Sequence, residues 1–317
     1  WSAVVMATGS ATPLAEALAA EGAIHPASRL TPKNHLSVEE FRRFRSFLAW
    51  ATRCYEGNAE GPMSFALAGD EIVVVDQVNG RVVRYDKSGR VTSTSDVPVT
   101  VQDVAVAPDG TTVLLDKLGE KTLTLTDPNG RRVGELSLRD PRVGDPGLLT
   151  GVFVDGKDVY VEKEHGALVK VGDTDGKAAG DDAPQLTGRP SKDGVLVLTA
   201  GFQSQPAGRA WLNAFDRKKG ALRFARAIQF PRPGHSIVLL DTDAKGTIYL
   251  GAWAGDGHEV TITCLDPGDG HPLGRVVTPI SATPEESLRD FAVGADGTIV
   301  YALRSDDGVE LHTARCP

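Results

Sequence analysis

Short runs of alternating apolar and polar residues, each closing on an Asp that a Gly follows within a few positions, recur along this chain. They read RVVRYDKSG (81–89), KTLTLTDPNG (121–130), ALVKVGDTDG (167–176), AWLNAFDRKKG (210–220) and VTITCLDPGDG (260–270), and the pattern fades in VELHTARCP (309–317). In KTLTLTD, Leu123 and Leu125 point one way and Thr122, Thr124 and Thr126 the other, the two-residue period of a strand with one buried face. The closing residues Asp86, Asp127, Asp173, Asp216 and Asp266 are separated by 41, 46, 43 and 50 positions. Each can accept backbone N–H groups in an Asx-type turn while the Gly supplies a positive φ, so their reading is structural rather than catalytic.

Two further runs precede each of these. The first enters a tight turn, as in SFALAGD (64–70), VQDVAVAPDG (101–110), GVFVDG (151–156), GRPSKDG (188–194), VLLDTDAKG (238–246) and DFAVGADG (290–297). The second is almost unbroken in apolarity: EIVVVD, TTVLLD, KDVYVE, VLVLTA, TIYLGA and TIVYAL. Strands of that kind are buried on both faces. A more polar fourth run follows the Gly, as in RVTSTSDV, RRVGELSL, ALRFARAIQF and HPLGRVVTPI, and suits an outer edge strand. Several strands per unit at a period of about 40 to 50 residues predict an all-β, six-bladed β-propeller.

In the first unit, GPMSFALAGDEIVVVDQVNGRVVRYDKSGRV (61–91) resembles the repeat of the NHL-type family of six-bladed propellers, with Asp76, Asn79, Arg81 and Val82 at that family's positions. The other five units keep the strand and turn logic without the Asn-Arg signature, so the resemblance implies a fold and not an activity. Lactonase-like and synthase-like six-bladed relatives hold a calcium or similar ion in the central channel with Glu, Asp and Asn. This chain has only five Asn, namely Asn34, Asn58, Asn79, Asn129 and Asn213, and the last three fall in turns or outer strands. The same family includes amidating lyases with zinc on His from separate blades. Here His235 precedes an inner strand and is the first metal candidate, whereas His165 and His258 fall in second-to-third strand turns and His271 and His312 are less well placed.

The sixth unit stops after three strands, which leaves an open edge for the N-terminal region to cover. The candidates are WSAVVMA (1–7) and the stretch around WATRCYEG (50–57). Closure by the second would bring Cys54 to Cys316, and a disulfide between them is expected. It would close a loop of about 260 residues, contribute roughly 4 to 5 kcal/mol and indicate an oxidising compartment. Cys264 reads as a buried free thiol, because equivalent strands of adjacent blades should stand further apart than the ~7 Å limit for a Cys264–Cys316 bond.

Residues 1–60 are expected to form an N-terminal extension and 61–317 the propeller. The extension carries a predicted helix at about 37–51, with Ser37 and Glu40 as a capping box and Val38, Phe41, Phe44 and Leu48 on one face, and a weaker one over 13–22. Phe41, Phe44, Phe47 and Trp50 fall within ten residues of a chain that is 6% aromatic. Either this helix packs across the propeller, or part of the aromatic set anchors a partner protein.

A net charge of −8 with no dense basic patch argues against a nucleic-acid partner. No run approaches the ~18 apolar residues of a membrane span. The chain opens on Trp1, as a processed or trimmed chain would. Gly-x-Ser-x-Gly, a phosphate-binding Gly loop, HExxH and Cys-x-x-Cys-His are absent from the sequence. The expected function is therefore a non-catalytic protein-binding or assembly subunit without a cofactor. It would be exported from a bacterial cytoplasm and be periplasmic, outer-membrane-associated or extracellular. The alternatives are a metal-dependent lyase or hydrolase sited at the channel, and a binder of small ligands or glycans. The loops 201–210 and 252–260 carry the longest insertions, with simple hairpin elongation as their plain explanation.

Overall fold

A computed structural model describes residues 44–46, 62–254, 258–281, 288–305 and 308–317. Its first strand, β1 (Phe44–Ser46), belongs to the last sheet. The first blade is β2 (Ser64–Ala68), β3 (Glu71–Asp76), β4 (Arg81–Tyr85) and β5 (Val91–Asp96). The second is β6 (Asp103–Val106), β7 (Thr112–Asp116), β8 (Thr122–Thr126) and β9 (Arg132–Ser137). Blade three has only β10 (Leu149–Asp155), β11 (Asp158–Lys163) and β12 (Leu168–Asp173) as full strands. Blade four is β13 (Arg189–Pro190), β14 (Leu196–Ser204), β15 (Arg209–Asp216) and β16 (Leu222–Gln229). Blade five is β17 (Ser236–Thr242), β18 (Ile248–Trp253), β19 (Glu259–Leu265) and β20 (Pro272–Pro279). Blade six is β21 (Phe291–Val293), β22 (Ile299–Ser305) and β23 (Gly308–Ala314), with β1 as its outer strand. The protein is thus an all-β, six-bladed propeller.

Because each sheet is apolar on both faces, the core is divided into layers between neighbouring blades. Leu115, Leu123, Leu125 and Leu136 of blade two pack with Val152 and Val161 of blade three. Phe65 and Val83 of blade one meet Val300 and Leu311 of blade six, and Leu198 and Leu212 of blade four meet Ile248 and Leu250 of blade five. Each fully buried Leu contributes roughly 1.5 to 3 kcal/mol of transfer free energy, so the stack is held by the sum of these layers.

The strand-closing aspartates form the expected turns. Asp86 Oδ1 accepts from the backbone N–H groups of Ser88 and Arg90, and Asp127 Oδ1 from those of Asn129 and Arg131. Asp173 and Asp216 do the same at their hairpins, and Asp266 Oδ1 accepts from Gly268 N. Hydrogen bonds from Ser88 and Arg90 hold the Asp86 carboxyl well below the usual carboxylate range. The NHL-like residues of blade one serve a local end too. Asp76 is fully buried and takes Asn79 Nδ2 at 2.7 and 2.8 Å and Arg81 Nε at 2.7 Å, across a 3-10 turn that ends on Gly80 at φ 62°. Asn79→Ala will cost about 2 kcal/mol by removing the amide that contacts both oxygens of a buried carboxylate, measured as a shift of the urea midpoint at constant slope. A variant within ~0.5 kcal/mol of the parent would show that Arg81 and the Asn79 backbone N–H together satisfy Asp76.

Two expectations about closure are corrected. The outer strand of blade six comes from 44–46, paired antiparallel to β23 with Phe44 opposite Leu311 and Ser46 opposite Val309. Those three residues are therefore extended, not part of a helix spanning 37–51. An unpaired β-edge supplies hydrogen-bonding partners along a whole strand, which outweighs the local helical pattern. The rest of that expected helix, the one over 13–22, the candidate 1–7, the stretch 50–57, and Phe41, Phe47, Trp50 and Cys54 lie outside the described residues.

The disulfide joins Cys264 to Cys316 with a Cα–Cα distance of 6.4 Å. Cys316 is thereby unavailable to Cys54, and Cys264 is not a free thiol. The two cysteines come within bonding reach because Cys316 lies beyond the end of β23, where the chain has left its own sheet and lies on blade five. Gly274, opposite Cys264 on β20, makes the room: a Cβ there would stand 3.0 Å from the Pro317 ring.

Candidate functional site

The innermost strands β2, β6, β10, β13, β17 and β21 surround the axis, and side chains from five blades converge there. Arg289, just before β21 of blade six, reaches across to blades two and three. Its Nη2 donates to Asp103 Oδ2 at 3.2 Å and to the Val152 carbonyl at 2.8 Å. Blades three and six are opposite members of the ring, so this side chain spans its middle. Asp103 is fully buried, accepting also from Val152 N at 2.7 Å and from the Ser64 hydroxyl. The Arg289 guanidinium lies 4.9 Å from the centre of the Phe153 ring, and that of Arg189, from blade four, lies 4.7 Å from the same ring. Two cations on one aromatic ring would repel unless each had its own anion. Asp103 serves Arg289, and Glu162 serves Arg189 through Nε and Nη2 at 3.2 and 3.0 Å.

Glu162 is buried beside the tip of the β11–β12 turn. Burial raises its pKa, but hydrogen bonding with His165, the Arg189 charge and the Thr150 hydroxyl together hold it down to about 2. Since this folded value lies below the ordinary 4.5, the stabilisation is present above pH 4.5 and is lost as the pH falls through 2. Wild-type stability will therefore fall by up to about 3 kcal/mol more than that of Glu162→Gln between those limits, read from urea titrations at several pH values. Parallel pH profiles would show that Glu162 is not the group that titrates.

His165 stands at that tip with its side chain 79% exposed and its Nδ1 3.7 Å from Glu162. Glu164 and His165 have φ of 50° and 56°, a left-handed pair that ordinarily calls for Asn or Gly. Thr150 Oγ1 holds the turn by accepting from His165 N. His258 is exposed, as expected of a turn. The ring of His235 packs on Trp253 at a centroid distance of 4.9 Å. His312 is buried, stacked on Tyr301 and bonded to Glu310 through Nε2 at 3.1 Å. Among the described residues the grouping with metal-like spacing is Asp266, Asp269 and His271, in a turn at the rim of blade five, and His235 is no part of it. The axial cluster escaped sequence reasoning because Asp103, Phe153, Glu162, Arg189 and Arg289 share no local spacing. The loop 201–210 is the elongated β14–β15 hairpin, closed by Gly208 at φ 61°.

Sheet order and axial packing together define the protein's class as a six-bladed β-propeller. No family model and no curated protein matches the chain. Among solved structures it is similar to hydrazine synthase of Kuenenia stuttgartiensis, with 15% identity, 80% of each chain covered and a TM-score of 0.49. BamB of Moraxella catarrhalis is similar at 16% identity over 82% of this chain and 87% of that one, with a TM-score of 0.42. The gluconolactonase XC5397 of Xanthomonas campestris shows 16% identity over 81% and 86%, with a TM-score of 0.44.

Proposed function

We propose that the protein is a non-catalytic protein-binding or assembly subunit that works in an oxidising compartment outside the cytoplasm. The observation that carries this reading is the axial cluster. Both carboxylates of the cluster are engaged by guanidinium groups that hold blades two, three, four and six together, so acid–base or metal chemistry there would require breaking buried ion pairs. The Cys264–Cys316 bond supports export, since such bonds persist where glutathione does not reduce them. Among the described residues no helix is long and apolar enough to cross a membrane. Phe41, Phe44, Phe47 and Trp50 are proposed as an aromatic anchor for a partner, tied to blade six where Phe44 pairs with β23.

Native mass spectrometry of the protein from its own source tests this reading. Companion subunits, and a gain of about two daltons on reducing the denatured chain, as one disulfide requires, are expected. A lone chain carrying one stoichiometric metal would sink it in favour of a channel-sited lyase or hydrolase.

A further inference from the structure

Blade four lacks most of its inner strand. β13 pairs only Arg189 with Leu198 and Pro190 with Val197, while β14 runs on to Ser204. The chain that would prolong β13 is used elsewhere. Leu186 bridges Leu168 and Ala178 bridges Gly172, so that segment lines the outer edge of blade three in place of a full fourth strand.

Strand alternation then identifies the backbone groups left over on β14. Val195 O accepts from Arg217 N on the β15 side, whereas Leu196 O accepts from Ser191 N on the β13 side. Even-numbered residues up to the bulge at Phe202–Ser204 therefore turn their N–H and C=O groups away from β15. The N–H and C=O of Ala200 and Phe202 face no strand among the described residues. This edge walls a cleft of about 490 Å³ whose other sides are Ser236 and Ile237 of β17 and His165 at the blade three turn. Such a volume is in the ordinary range for binding sites. Gln203, Gln205 and Ser236 in the lining are uncharged. The Phe202 ring is seated against Gly234, where any side chain would collide with it.

A free strand edge offers donors and acceptors at the spacing of another extended backbone. Open edges usually carry protective charges or Pro. This one instead forms a wall of the cleft, where an extended segment can lie along it. We propose that the β14 edge at Ala200–Phe202 is a docking site for an extended, uncharged segment of a partner protein, which adds as the missing inner strand of blade four. The proposal deepens the protein-binding reading and rests on it.

The probe is a phage-displayed library of random dodecapeptides panned against the full chain, with selected peptides resynthesised. They are expected to slow amide exchange at Ala200 and Phe202. Ala200→Pro, which removes an outward N–H and leaves the ladder to β15 intact, should weaken them about tenfold. If that variant does not fold, N-methylation of alternate peptide amides reads the same edge and should also cost about tenfold. The proposal is overturned if no peptide is enriched, if protection appears elsewhere, or if the Ala200 and Phe202 amides are already protected in the free protein, since its own residues would then fill the edge. Companion subunits that stay bound to Ala200→Pro would overturn docking at β14 while leaving the protein-binding reading standing. A native protein without companions would remove that reading and the site together.

Discussion

Arg289→Met will destabilise the protein by about 3 to 5 kcal/mol, the range for removing one partner of a buried ion pair. The magnitude follows from what is left behind. Asp103 is fully buried and would keep its Ser64 and Val152 donors but lose its counter-charge, while Val152 O would lose the Arg289 donor. The Phe153 ring would still be contacted by Arg189, so packing loss is the smaller part. Urea unfolding should show a lower midpoint at unchanged slope. The double variant with Asp103→Asn should cost clearly less than the sum of the singles, because it removes the orphaned charge. A single-variant cost under ~1 kcal/mol would mean that the axial pair contributes no more than a surface pair.

Loss of the Cys264–Cys316 bond is the second large effect expected. It spans 52 residues, and the chain-entropy relation for a loop of that length gives about 4 kcal/mol. Cys316→Ser should therefore lower stability by about that amount, and reductant should bring the parent to the same urea midpoint. The damage should be local at first. The tail beyond β23 lies against Gly274 of blade five, and without the bond hydrogen exchange should quicken in β23 and β1 before the inner blades. Equal midpoints with and without reductant would refute a stabilising role for the bond.

The architecture was legible because blades one to five repeat a local code. An apolar strand, an Asp that bonds the next backbone amides and a Gly at positive φ report themselves without tertiary information, and Asp86, Asp127, Asp173, Asp216 and Asp266 all behave as that code requires. What was illegible depends on residues far apart. Arg289 and Asp103 meet only because the ring closes, and nothing around either of them marks the other. The helical pattern around Phe44 is real as local preference and is overridden by a strand edge that only the last residues of the chain create. Cys264–Cys316 was discounted by treating both residues as strand positions, when one sits in a tail. The truncated inner strand had a visible signal. GRPSKDG is the least apolar of the six first strands, and its Pro190 donates no ladder bond.

Closure by β1 also sets an order of events. The last blade needs residues 44–46 together with 308–314, so a chain still being synthesised is an open arc with β1 unpaired until β23 has emerged. Blades one to five, which end with β20 (Pro272–Pro279), can stack before the sixth is complete. The ring closes only once β23 is free to meet β1, so the blade that joins the two ends of the arc is the last to form.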